Sequence, residues 1–483
     1  MAIGDTNLFF NRDTKVYAVQ YTGSATANVW QLPVLNGYSF KQSTNSSQVT
    51  LSEMASATGN SRRGQVSFND SLAPAEWSFD VYSRPTLSTV VRAPEEILWH
   101  SLFAETGFTP AAGTATGLPI TSATITGTTL VATFTTPAPT GGTYFKVGDS
   151  ITTSGLSAAV GTTGASGTFV VTAVTNTTVS YTVPASVSGV VTATAALAKS
   201  TSFSATATEL DFLTASSNKV KLATFDMYFI LGAAKAGGTA DTYVASELTT
   251  IYKVANCVVN EATVNFAIDG ITTVSFSGMG TSITELPSWT FTGVATNPDQ
   301  SVATTHTLIQ TGVTSTTNMI RNRLTALNIV GTNPGINAGA PKTYNITLTG
   351  GSITISNNVN FLTPETLGVV NTPLGHVTGT RSVSGTFTAY LDELTNGSID
   401  LYQDLLTATN LITNKHQLQF FVGGKGAAAG YPASPGVMFD MGQCHLEIPT
   451  INVADVIAVD INFTALPSTI SNTDELTKIR YVA

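Results

Sequence analysis

Charge is what this chain has least of. Asp, Glu, Lys and Arg make up 11% of its 483 residues, against about 25% in ordinary soluble domains. The 30 acids outnumber the 21 Lys and Arg, for a net charge of -9, and no basic run exceeds Arg62-Arg63. That balance argues against a protein that grips nucleic-acid phosphates, which takes clustered Lys and Arg. It stays compatible with a surface past which nucleic acid slides without sticking. Cysteine is almost missing: only Cys257 and Cys444 occur. Two cysteines in a reducing compartment are more often buried small hydrophobes than a disulfide. No charged start leads into an apolar core, so no secretory signal is visible, and no run of about 18 apolar residues could span a bilayer. The chain reads as soluble and made in a cytoplasm.

Catalytic constellations are missing too. His100, His306, His376, His416 and His445 share no spacing with one another or with Glu or Cys. His445 follows Cys444, but neighbours on a strand point to opposite faces and make a poor metal pair. His100 falls on the polar side of an expected helix, as a solvated residue. No Gly-x-Ser-x-Gly elbow precedes a helix, and no Asp-x-Asp-x-Asp-Gly calcium loop is present. Asp269-Gly270 reads as a turn. No catalytic, cofactor-binding or metal-ligating residue is assigned, and nothing supports an enzyme.

What the chain does have is the same pattern twice. Hydrophobic residues reach 42% in short alternating runs, so the composition is not that of a disordered chain. The length suggests roughly three domains at about 150 residues each. Asn256-Cys257 sits 19 residues before Phe276, and Gln443-Cys444 sits the same distance before Phe463. Trp77 to Tyr82 and Gly385 to Tyr390 alternate large and small side chains, as half-buried strands do. After each comes a helical stripe. The first runs from Pro94 through Leu98, Trp99, Leu102 and Phe103; the second has Ser398 as N-cap before Leu401, Tyr402, Leu405 and Leu406. Met227 to Gly232 corresponds to Gln419 to Gly423, and the closing hairpins turn at Asp269-Gly270 and Ala454-Asp455. At the front of each half, Leu35 to Phe40 matches Leu348 to Ile353.

Both halves run into Gly/Ala-rich loops, one carrying Lys235, Gly237 and Gly238, the other Lys425, Gly426 and Gly430. The Walker spacing is absent and no helix signal follows, so these are hairpin tips that pack on a neighbouring subunit rather than phosphate cradles. Between Glu105 and Lys199 only Lys146 and Asp149 are charged. Short strands at 129–134, 167–174 and 178–183, separated by Gly, Pro and Asn, have the pattern of a small β sandwich inserted in the first half alone. Each half thus reads as antiparallel strands with one helix, and its exposed edges call for cover by other copies.

A β repeat with one helix, a Gly/Ala loop, a tandem copy and a sandwich insert resembles the tail tube proteins of tailed bacteriophages, especially the duplicated type of T5-like siphophages. The opening Met1-Ala2-Ile3-Gly4-Asp5-Thr6-Asn7 is similar to theirs. The resemblance implies a mainly β fold of two tandem tube domains, each of packed antiparallel sheets with one flanking helix, plus an immunoglobulin-like insert. Expected boundaries are 1–107 and 201–290 for the first tube domain, 108–200 for the insert and 291–483 for the second. It implies a structural virion protein without cofactor, whose trimers form pseudo-sixfold rings stacked into the conduit for DNA ejection. The Gly/Ala loops become candidate contacts between rings or subunits. Partners would be further copies of itself, the tape measure, the tail terminator and the baseplate or tip, with genomic DNA passing unbound and no membrane involved. Acidic excess should gather on lumen-facing strands, and a lumen lined by Lys and Arg would sink the reading. The alternatives are the tube of a contractile tail and a bacterial surface-layer or adhesin-like β protein, which should show an export signal.

Overall fold

In a computed structural model of the chain, the described residues are 8–22, 25–48, 67–87, 91–103, 118–134, 150–154, 167–175, 178–183, 189–191, 195–199, 203–205, 210–213, 221–233, 241–246, 248–310, 318–331, 342–367, 370–407, 415–426, 432–453, 456–469 and 474–483. Each half is organised around one long strand that leaves an outer sheet and enters an inner one. In the first half this is Thr250–Ala267, which pairs early with Phe225–Leu231 and Ser282–Leu286 and late with Thr273–Gly280. Asn256, at φ 50°, marks the change of sheet, a left-handed geometry that Asn tolerates better than most residues. In the second half Gly436–Leu446 pairs with His416–Val422 and Lys478–Val482, then with Ala458–Ala465. The registers equate the two: Cys257 faces Phe225 and Cys444 faces His416, with a ladder irregularity just beyond each. Both thiols are free and buried, so they act as small core side chains.

The outer sheet of the first half continues through Lys15–Tyr21 and Thr26–Leu32 to Thr304–Gln310, the last in parallel. It therefore extends past the expected boundary at 290. The inner sheet runs without interruption through both halves. Its order is Ser39–Lys41, Ala75–Tyr82, Thr273–Gly280, the late part of Thr250–Ala267, Leu348–Ser356, Ser382–Tyr390, Ala458–Ala465 and Thr450–Asn452. Leu348–Ser356 stands to Ser382–Tyr390 as Ser39–Lys41 stands to Ala75–Tyr82, which bears out the match of Leu35 to Phe40 with Leu348 to Ile353. One hydrophobic core underlies both halves.

The equal spacing from Cys to Phe, however, misplaces one residue. Phe276 faces Phe79, but the residue facing Phe387 is Ile461; Phe463 lies farther along, opposite Gly385. Asn265 pairs with Thr273 and Asn452 with Ala458, so the second hairpin is two residues shorter. The exchange has a packing reason. Trp77 faces Gly278 in the first half, where Phe463 faces Gly385 in the second. A Cβ on Gly278 would collide with the Trp77 ring, and one on Gly385 would come to 2.7 Å from the Phe463 ring. The same space is filled from opposite strands, as dense packing demands.

The helices differ in burial. All eight residues of α1, Glu96–Phe103, are buried, including His100. The solvated reading of His100 is thereby corrected. The reason is the second half: Trp99 packs edge-on 5.0 Å from Phe276 and 6.2 Å from Phe439, so α1 is wedged between the halves. In α2, Ser398–Thr407, only Ser398, Leu401 and Leu405 are buried. Ser398 is no simple N-cap: its hydroxyl donates to the Tyr390 carbonyl and accepts the Asp392 N–H. Asp400 reaches back to the N–H of Asn396 instead.

The described strands of the insert, at 118–126, 129–134, 150–154, 167–174, 178–182, 189–191 and 195–199, make one antiparallel sheet. Leu118–Thr126 pairs with Thr129–Phe134 on one side and with Ala195–Lys199 and Gly189–Val191 on the other, so the pairings close into a ring. Ile120, Leu130, Ile151, Val171, Val179 and Tyr181 are buried within it.

Candidate functional site

Strand alternation gives the inner sheet two chemically different faces. One packs Trp77, Phe79, Val274, Phe276, Val264, Ile353, Phe387 and Ile461 into the core. The other carries Ser39, Ser78, Ser275, Ser277, Thr263, Asn265, Ser352, Thr354, Thr386, Thr388 and Asn462, all at least partly exposed. Cross-strand hydroxyl contacts knit this face together: Ser39 to Ser78 at 3.0 Å and Thr263 to Thr354 at 3.2 Å, the second crossing the boundary between halves. Such pairs each contribute a few tenths to about 1 kcal/mol.

The charges on this face are strongly one-sided. Glu76, Asp80, Glu261 and Asp460 are carboxylates, and Lys41 is the one cation among the described strand residues of the face. Lys41 is itself engaged, its Nζ 2.9 Å from Glu76. Asp460 accepts hydrogen bonds from Thr388 at 2.6 Å and from Asn452. A surface of this kind sets four carboxylates against a single paired lysine, and where few phosphates are neutralised few counterions are released to drive binding. The sequence reading found these strands through their buried members. Their polar face was available from the same alternation, read one residue out of step.

A buried polar junction fixes the two halves at the outer side. Lys478–Val482 pairs with Gly436–Leu446 of its own half and with Leu210–Leu213 of the first. From it Tyr481 donates to Glu95 at 2.9 Å and accepts from Trp99 at 2.8 Å and Ser83 at 3.0 Å. Burial pushes the Glu95 carboxyl up to about 7, partly offset by its hydrogen bonds from Tyr481 and Ser83. Burial does the same to Glu96, pushed to about 7 against the pull of Arg92 and the Trp30 indole.

Of the predicted loop residues, Lys235, Gly237, Gly238 and Gly430 lie outside the described residues, as do the turn residues Ala454 and Asp455. Lys425 is exposed, forms a bridge to Pro432 and sets its ammonium 5.9 Å from the Phe421 ring centroid. Gly426 follows it, half-buried. The loops do start at equivalent places: Gly232 and Gly423 both take positive φ, 74° and 94°, directly after the matched strands. Among the described residues no three His, Cys, Asp or Glu side chains converge as a metal site.

No protein-family model matches the chain. It aligns with tail tube protein pb6 of Escherichia phage T5 at 26% identity over 470 residues, covering 96% of this chain and 74% of pb6. The chain is a relative of the T5-type tail tube proteins. An alignment of that span takes in both halves of the chain. As a tail tube relative it is a structural, non-enzymatic component of the virion tail.

Proposed function

We propose that this tail tube relative builds the DNA conduit of a non-contractile phage tail by polymerising into stacked rings. Three chains supply six tube domains, and the inner sheet closes into a pseudo-sixfold barrel whose polar face lines the lumen. The observation that supports this most is the inner sheet itself. Among the described residues it already joins two domains by strand pairing, ends on each side in a strand paired along one edge only, and turns toward solvent a hydroxyl-rich face with one lysine. Closure removes such edges, since a barrel has none. Rings stack head to tail, with the Gly/Ala loops around Lys235, Gly237, Gly238, Lys425, Gly426 and Gly430 as contacts between rings or subunits. Assembly takes place in the host cytoplasm with the tape measure, terminator and tip proteins, and genomic DNA passes without specific binding. Negative-stain microscopy of the purified protein tests this: hollow tubes with three outward knobs per ring are expected. Monodisperse monomers under all assembly conditions would overturn it.

A further inference from the structure

We infer that the junction between neighbouring chains repeats the junction inside the chain, residue for residue, so that the edge at 450–453 pairs antiparallel with the edge at 38–41 of a second copy. This rests on the ring reading above and specifies its interface. The internal junction pairs Thr263 with Thr354, Val264 with Ile353, Asn265 with Ser352 and Phe266 with Gly351. The second half repeats the first of these strands without a gap, because Thr450, Ile451 and Asn452 face Asp460, Val459 and Ala458 as Thr263, Val264 and Asn265 face Ser275, Val274 and Thr273. The first half repeats the other strand: Ser39 and Phe40 face Ser78 and Trp77 as Ser352 and Ile353 face Thr386 and Gly385. Substituting counterparts gives the register Thr450 to Lys41, Ile451 to Phe40, Asn452 to Ser39 and Val453 to Tyr38.

Two further observations place a second copy at this edge. Ile451 and Val453 are 41% and 81% exposed, while their counterparts Val264 and Phe266 are at 0% and 3%; Phe40 and Tyr38 sit only partly buried at the opposite edge of the sheet. The helices show the same asymmetry. Phe103 and Trp99 of α1 are buried, Trp99 against Phe439 of the second half, whereas Leu406 of α2, the counterpart of Phe103, is 43% exposed. Pro449 replaces Ala262 and has no N–H to give, so pairing starts after it, as suits a proline at a strand edge.

Cysteine cross-linking in assembled tubes of the full chain tests the register, and the native cysteines are buried and out of reach. Lys41→Cys with Thr450→Cys occupies the place of the Thr263–Thr354 contact. Oxidation should give covalent dimers and trimers on denaturing gels at least about tenfold more efficiently than Ser39→Cys with Thr450→Cys, since a two-residue slip carries the Cα atoms beyond disulfide reach. Tubes that cross-link only through the slipped pair, or through neither, would overturn the register and leave the ring reading standing. Chains that never leave the monomeric state would overturn both. Circular dichroism of each single-cysteine variant separates misfolding from a failed junction.

Discussion

At the scale of single residues, the junction around Glu95 gives the chain a pH response whose sign follows from burial. The carboxyl is held at about 7 in the folded protein, above the ordinary glutamate value of about 4.3. Its contribution to stability is therefore present below the unfolded value and lost as pH rises through about 7. Glu95→Gln keeps the shape and never ionises, so it should match the native protein near pH 4 and exceed it at pH 8 in thermal midpoint. Parallel pH profiles of the two proteins would refute this. Tyr481→Phe withdraws the hydroxyl shared by Glu95, Trp99 and Ser83 and should cost about 1–3 kcal/mol in denaturant unfolding. None of this was legible in the sequence. Tyr481 and Glu95 are 386 positions apart, and Glu95-Glu96 reads as the acidic first turn of a helix whether or not that turn is buried. His100 was misplaced for the same reason, because periodicity in one helix cannot report a second domain packed on its outer side.

Among the elements, strands with strict alternation were legible and short edges were not. Trp77 to Tyr82, Gly385 to Tyr390 and the two cysteine-bearing strands emerge from pattern alone because each has one face on the core. Lys478–Val482 carries Lys and Arg at positions that are buried, which hides its role as the strap between halves. Removing residues 478–483 should expose the edges at 436–440 and 210–213, lower the soluble yield, and divide a single calorimetric unfolding transition into two. An unchanged single transition would show that the inner sheet and common core suffice. In the insert the short Thr- and Val-rich runs at regular intervals were legible as strands, but their pairing order was not, because it depends on which strands flank Leu118–Thr126 on its two sides.

For the whole molecule, the duplication was legible and so was the acidic excess, though not which surface holds it. The carboxylates of the inner face differ between halves. Glu76, Asp80 and Glu261 belong to the first and Asp460 to the second, so the proposed lumen alternates in charge around its circumference. Asp80→Lys with Glu261→Lys should turn this inert face into one that retains duplex DNA at low salt and releases it steeply as salt rises, read by gel shift. Native protein binding just as tightly would contradict the inert-surface account. The exchange of Trp77 and Gly278 for Gly385 and Phe463 has a consequence for folding itself. Tandem repeats invite a strand of one copy to fold into the other. Here such a swap sets Trp77 against Phe463, or Gly385 against Gly278, one overfilled and one hollow. The two copies are keyed like unlike locks, and each admits only its own strand.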